Sequence, residues 1–401
     1  MLASKNIFTA EIVALMNVFE TTKAQTSLAM TYYFITCAIT QAILSVTIRK
    51  INLRIYLTVT GIASAVLTLL MGVAPSITIM YALCAVNGVM QAGVYSGCMA
   101  VLARYLFKDM LVYANRIMTI GSSLYAVLSY GVPSLFVGFG LWNFPFFLLG
   151  AMFLLSVLFY LWAVNKIKKF PEVVDEKKQE NTQKEQVVED LDEESLVVLK
   201  TKKSKGFYVA IMLAFDFISQ VIYFTVLNWF PNMLYDVFDF SESYSILITL
   251  LVAVIPLVGS IYAINMCEKH RNSYYVASLF ALISIVFIAP MVLAFDINVV
   301  FSIVMGVLFM TASTGAKNIF CGVIAFKMRN QIDSGSYLAA YNSVASLVAG
   351  VIPPLIGQLI DSFSGVKGYG VSYLLVLILS VVFSLTTFVY GAYCERKKSK
   401  I

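Results

Sequence analysis

Eleven long apolar stretches limit this chain more than any other feature: 26–48, 55–74, 77–103, 112–138, 144–165, 206–229, 244–266, 273–295, 297–326, 336–360 and 370–393. Each nears or exceeds the ~20 residues that carry a helix through the hydrocarbon of a bilayer. In lipid every backbone N–H and C=O must find its partner within the structure, which leaves only helices and closed barrels. The stretches are continuous, not alternating, so they read as helices. A twelfth stretch, MLASKNIFTAEIVALMNVF at 1–19, is amphipathic and short. It reads as the latter part of a longer first helix, and Glu11 would matter if that helix were complete.

Composition agrees and removes several functions. The chain is 60% hydrophobic and 12% charged, with mean hydropathy +0.85, well outside the soluble range. Its net charge of +6 comes from lysines and arginines crowded into certain loops, so nucleic acid is not an expected partner. The six cysteines (37, 84, 98, 267, 321 and 394) are scattered without metal or redox spacing, and the one histidine, His270, lies in a short loop. No metal or cofactor is therefore expected, and no Ser-His-Asp triad. No Gly-x-x-x-x-Gly-Lys-[Ser/Thr] sequence occurs, so ATP use through a P-loop is not expected either. Nor is there the h-region and cleavage site of a secretory leader.

Residues 166–205 break the pattern with ten of the 22 acids and many lysines. Such a segment reads as a solvated, largely disordered linker. It divides the chain into an N-terminal transmembrane bundle at 1–165 and a C-terminal one at 206–393, followed by a basic tail at 394–401. Arg49, Lys50, Arg54, Arg104, Lys108, Arg116, Lys166, Lys168, Lys169, Lys269, Arg271, Lys327, Arg329 and the tail occupy alternate loops. The positive-inside rule puts those loops, the linker and the C-terminus in the cytoplasm. An inside N-terminus would take six spans in the first half, so 1–19 is expected to be either the end of a longer helix that starts upstream of Met1 or a shortened copy of it.

Two charges lie deep within apolar runs. Lys317 is about 15 Å of helix from the Lys327–Arg329 cluster. Thr314, Lys317, Asn318 and Cys321 follow i, i+3, i+4, i+7 spacing and are predicted to share a face. Asp216 lies near the middle of 206–229, in a polar stripe with Ser219, Gln220 and Tyr223. Ionisable groups at such depth face a partner or a watery cavity. Asp216 and Lys317 read in two ways. They could be a pair that solute or proton competes for, with Lys317 facing an anionic solute and Asp216 coupling a proton. They could also be a static pair that pins two helices. Asn87, Gln91 and Tyr95, spaced i, i+4, i+8, are candidate solute ligands; Asn and Gln also bond helices together in membranes. Tyr33, Thr36, Thr40 and Gln41 form a similar face, with Tyr125 and Asn342 as outlying candidates. Gly131, Pro133, Gly350, Pro353 and Pro354 suit bending, hinging and close packing. Arg49, Lys50 and Arg54 combine topology with a cytoplasmic latch.

The halves also resemble each other: Val86-Asn-Gly88 matches Val304-Met-Gly306, and Gly131-Val-Pro133 matches Gly350-Val-Ile-Pro353. Two six-helix halves, a cytoplasmic linker and matched polar helices resemble the major facilitator superfamily along nearly the whole chain. Val86–Leu106, Val226–Tyr235 and Tyr341–Gly357 with Asp361 are loosely similar to its organophosphate/phosphate antiporter branch. The superfamily's loop pattern Gly-x-x-x-Asp-Arg-x-Gly-Arg-Arg survives here only in its basic residues, Arg49, Lys50 and Arg54. The antiporters' intramembrane arginine on the seventh helix is missing, since 206–229 offers Asp216. The resemblance implies an all-α fold of twelve helices in two pseudo-symmetric bundles, with Asp216 and Lys317 on neighbouring cavity helices.

The expected function is secondary active transport of a small polar, anionic organic solute by alternating access. The drive is a proton or counter-solute gradient, the protein is a monomer, and its place is the plasma (inner) membrane. Substrate contacts are expected from Lys317, Asn318, Asn87, Gln91, Tyr95, Gln220 and Tyr223, and coupling from Asp216 with Lys317. Two alternatives stay open: an organophosphate/phosphate exchanger, and a transporter-like membrane sensor or inactive shortened homologue. An enzyme is not expected.

Overall fold

The computed structural model describes residues 15, 18–21, 23–105, 108–137, 139–167, 202–240, 242–270, 272–324, 327, 334–363 and 366–398. Glu11, the start of the first span and most of the linker lie outside these residues. Among the described residues all regular structure is helical. α1 spans Lys23–Thr47 and is followed by a 3₁₀ turn, Ile48–Lys50. Then come α2 (Leu53–Met71), α3 (Ile77–Gln91), α4 (Val94–Tyr105), α5 (Lys108–Val137) and α6 (Phe144–Ile167). The second half holds α7 (Lys202–Phe238), α8 (Glu242–Val254), α9 (Pro256–Lys269), α10 (Ser273–Ala294) and α11 (Val299–Asn318). α11 runs into a π turn, Ile319–Ile324, before α12 (Ser334–Ser362) and α13 (Val366–Lys398).

Among the described residues ten helices or helix pairs are long and apolar enough to cross a membrane, and they coincide with ten of the eleven apolar stretches. The eleventh stretch lies in α5, a helix of 30 residues. Several spans begin where polar side chains satisfy the first orphan N–H groups. Asn298 Oδ1 accepts from Val300 N at 2.8 Å and Phe301 N at 3.2 Å, and Asn272 Oδ1 accepts from Tyr274 N at 3.1 Å. Ile39, Ile43, Leu155, Phe159, Leu293 and Leu385 stand exposed on the outer faces, as lipid-facing side chains do.

The contacts divide into two sets joined by a short list of crossings. α1 packs on α3, α2 on α6, α10 on α11 and α13, and α7 on α11, α12 and α13. Between the halves, α1 and α4 meet α12, while α5 meets α8 and α9. Counting 1–19 as the first span, the second span of each half meets the fifth of the other. That is the contact pattern of two related six-helix bundles facing each other across a pseudo-two-fold axis.

Glycines set two of the closest approaches. A Cβ at Gly88 would fall 2.3 Å from both Thr36 Oγ1 and Tyr33 O, so α1 and α3 touch backbone to backbone there. At Gly350 a Cβ would meet Phe34 Cβ at 3.1 Å, at the α1–α12 crossing. At Gly131 no atom of the described residues comes within 4 Å of a Cβ placed there. Pro133 and Pro353–Pro354 sit inside α5 and α12. Trp229 Nε1 of α7 donates to Pro353 O at 3.1 Å, tying α12 to its own half beside the prolines.

Candidate functional site

The polar residues of the two halves form separate arrangements. In the first half Tyr33, Ser64, Asn87 and Gln91, from α1, α2 and α3, close on one another. Tyr33 Oη donates to Gln91 Oε1 at 2.8 Å, and Gln91 Nε2 donates to Ser64 Oγ at 2.7 Å and Asn87 Oδ1 at 3.3 Å. Ser64 Oγ donates to Asn87 Oδ1 at 2.5 Å. All four residues are buried. This neutral knot cross-links three helices, which is the helix-bonding role that Asn and Gln commonly take in membranes.

Tyr95 does not continue that face. α3 ends at Gln91 and α4 begins at Val94, with the break at Ala92–Gly93. The Ala92 carbonyl freed by the break accepts from Gln41 Nε2 at 2.9 Å. A Cβ at Gly93 would lie 2.4 Å from Tyr56 Oη and 2.6 Å from Leu44 Cδ1, so glycine lets these side chains close over the break. Beyond it Tyr95 Oη reaches Cys321 Sγ of the other half at 3.7 Å. The simple i, i+4, i+8 reading fails because it assumes an unbroken helix.

In the second half charge replaces neutrality. Asp216 on α7 is fully buried. Its Oδ1 accepts from Gln220 Nε2 at 2.9 Å, and the same nitrogen donates to Tyr341 Oη on α12 at 2.9 Å. Its Oδ2 is buried with no hydrogen-bond donor among the described residues. Lys317 on α11 acts on Asp216 through its charge. Its Nζ lies 3.4 Å from the centre of the Tyr223 ring, within cation–π range. Asp216, Gln220, Tyr223 and Lys317, predicted from spacing on two separate runs, thus come together. Tyr341 was not among the residues expected at the site. It lies on a third helix, and no local pattern in the sequence links it to Gln220.

The predicted face Thr314–Lys317–Asn318–Cys321 is split. The π turn starts directly after Asn318 and shifts the register, a distortion common at functional sites. Lys317 meets Tyr223, Cys321 meets Tyr95, and Asn318 Nδ2 donates to Ser260 Oγ of α9 at 2.6 Å. Asn318 thus bonds two helices of its own half. Thr314 Oγ1 and Asn342 Nδ2 are buried without hydrogen-bond partners among the described residues. Ser219, one turn from Asp216, joins Ser284, Ser313 and Ser380 of three other helices around a void with room for about one water.

The face of Gln41 is occupied too: its Oε1 accepts from Ser346 Oγ of α12 at 2.9 Å, and Ser343 Oγ donates to Ala38 O at 2.8 Å. At the loop, Arg54 donates to Asn165 Oδ1 at the end of α6, so it latches within its own half. Lys50 is exposed, and the side chains of Arg49 and Tyr125 lie outside the described ones.

Two matched helical bundles that bury charge at mid-span define a multi-pass membrane transporter. The chain belongs to the Major Facilitator Superfamily, whose family model matches residues 1–353. It is thus a member of a family of secondary transporters acting on small-molecule solutes, and not an enzyme. Among solved structures it is similar to the MFS proton:xylose symporter XylE bound to 6-bromo-6-deoxy-D-glucose. That likeness has a TM-score of 0.68 and 15% identity, and covers 97% of this chain and 94% of the other. No curated protein sequence matches the chain.

Proposed function

We propose that the protein carries a small polar, anionic organic solute across the plasma (inner) membrane by alternating access, driven by a proton or counter-solute gradient. One observation carries the reading: a fully buried carboxylate, one oxygen of which has no donor among the described residues, lies within the electrostatic reach of a lysine on the neighbouring helix. Burying an ion is costly and leaving one of its oxygens without a donor adds to the cost. A transporter can use that cost, since solute or proton relieves it in one state and not in the other. The Lys317 ammonium, seated on Tyr223, offers an anionic solute a point charge. Asp216 Oδ2 offers a proton a place. Gln220 orients the carboxyl, while Tyr95 contributes from the opposite half. XylE's coupling to protons makes a proton the first gradient to try here. The linker at 166–205 and the tail at 394–401 lie on the cytoplasmic side by their charge, joining bundles at 1–165 and 206–393, and the unit is a monomer.

The test is thermal stabilisation of purified protein by a panel of carboxylates, phosphates, sugars and amino acids. A ligand at 100 times its dissociation constant adds about 2.7 kcal/mol. Stabilisation by an anion, followed by its gradient-driven uptake into proteoliposomes, is the expected result. Stabilisation by neutral solutes alone, or binding without flux under either gradient, would overturn it.

A further inference from the structure

Four serines from four helices border one small void in the second half. Ser219 of α7, Ser284 of α10, Ser313 of α11 and Ser380 of α13 line it, with Ile222 and Phe383 among its apolar walls. All four serines are buried. We propose that the void is a site for one ordered water, which accepts from Ser313 and donates to two of the other three serines. That water pins the helices of Asp216 and Lys317 to α10 and α13. The proposal needs neither a particular solute nor a gradient.

The hydroxyl protons select the occupant. A serine hydroxyl has one proton to give and two lone pairs to receive with. Three of the four protons are spent within their own helices. Ser219 Oγ donates to Asp216 O at 2.8 Å, Ser284 Oγ to Ala281 O at 2.7 Å and Ser380 Oγ to Val376 O at 2.8 Å. Toward the void these oxygens can only accept. Ser313 is different. Its Oγ makes no hydrogen bond among the described residues and, unlike Thr314 Oγ1 next in the chain, is not sealed in by other atoms. With the residue only 6% exposed, the open space its hydroxyl meets is the void it lines. The site thus offers one donor and three acceptors. Water has two protons and two lone pairs, so it takes the Ser313 proton and gives both of its own. Three hydrogen bonds are the usual complement of a buried water.

Size and charge agree. The space open to a water's centre is about 10 Å³, at the lower edge of what one water needs. None of the lining residues is charged, so a bare cation would find no counter-charge here, whereas neutral water needs none. In a dry void the Ser313 hydroxyl would carry the desolvation cost of a buried, unmade hydrogen bond, which a water removes. Placement gives the site its role. Ser219 follows Asp216 by three residues and Ser313 precedes Lys317 by four, so each lies about one turn from a buried charge. A water shared by α7 and α11 holds the two charge-bearing helices together on the side of α10 and α13.

Radiolytic footprinting reads such a water directly. X-ray pulses split bound water into hydroxyl radicals that oxidise the side chains around it, and peptide-resolved mass spectrometry locates the oxidation. The sample is full-length protein in lipid nanodiscs. Phe383 lines the void, and Phe309, fully buried on α11 and not lining it, is the reference. In the wild type Phe383 is expected to be oxidised faster than Phe309. Ser313→Val replaces the one free donor with a methyl, and Phe383 oxidation should fall about tenfold, the occupancy that goes with one ordinary hydrogen bond, with Phe309 unchanged. Replacing sodium by choline in the buffer should alter neither rate. Phe383 oxidised no faster than Phe309 would show a dry void and overturn the proposal, as would an unchanged Phe383 rate in folded Ser313→Val. Phe383 oxidation suppressed by sodium would seat an ion in place of the water and overturn it too. Should Ser313→Val not fold, the wild-type comparison decides alone. A negative ligand screen would leave this result standing, so failure of the water site and failure of the solute reading are separable.

Discussion

The neutral knot of the first half pairs its polar side chains with one another, whereas the charged cluster of the second leaves a carboxylate oxygen without a donor among the described residues. Tyr33, Ser64, Asn87 and Gln91 form a neutral set in which Gln91 alone takes part in three side-chain bonds. Asp216, Gln220, Tyr341 and Lys317 form a charged set in which a buried carboxylate oxygen has no donor among the described residues. Related bundles thus use intramembrane polarity in opposite ways. A satisfied neutral network rigidifies and specifies packing, while an unsatisfied charged one stores free energy that a ligand can release. Structure and function are therefore expected to respond to mutation in opposite senses in the two places.

Gln91→Leu should have the largest effect on folding. It removes three bonds and leaves Tyr33 and Ser64 short of partners. At about 0.6 kcal/mol per interhelical bond in a membrane, the loss is about 2 kcal/mol, read as a lower unfolding midpoint. Ligand stabilisation should persist in the variant, and its disappearance would move the solute site into the first half.

Close packing provides a second contrast of similar size. Gly88→Ala pushes a methyl into the α1 backbone and should cost about 1–3 kcal/mol. Gly131→Ala meets open space among the described residues and should gain a few tenths to about 1 kcal/mol from helix propensity. Equal losses at both would show that α5 has a close neighbour at that level.

Asp216→Asn should go the other way. The side chain keeps its shape and Gln220 keeps an acceptor; the cost of burying the carboxylate is removed, while the Lys317 ammonium keeps its seat on the Tyr223 ring. Stability should be unchanged or higher by about 1 kcal/mol, as measured by thermal unfolding, while gradient-driven flux is lost. A clear loss of stability would mean that Asp216 and Lys317 form a static pair holding α7 to α11.

Nearly all of the fold was legible in the sequence because lipid leaves the backbone so few choices. The lengths of the runs and the interruption at 166–205 were enough. The site was legible only along single helices. The stripe Asp216, Gln220, Tyr223 and the depth of Lys317 could be read because each is a spacing on one run. Tyr341 was not legible as a partner, since its relation to Gln220 exists only across α7 and α12. The Asn87–Gln91–Tyr95 and Thr314–Cys321 faces were misread for a different reason. Regular 3.6-residue periodicity passes over a break at Ala92–Gly93 and a π turn at Ile319–Ile324, and the side chains beyond each meet other partners. Glycine at 93 was the available sign of the first, and Gly322, inside the π turn, the available sign of the second.

The central claim is that the second half's charged cluster, not the first half's neutral knot, holds the solute. The most direct measurement is ligand stabilisation by the best anion from the screen, compared between wild type, Lys317→Gln and Asn87→Leu at saturating ligand. The account predicts the shift lost in Lys317→Gln and retained in Asn87→Leu, whatever the lower starting midpoint of the latter. A shift retained in Lys317→Gln and lost in Asn87→Leu would contradict it, placing the solute at the knot and leaving Lys317 as a structural partner of Asp216.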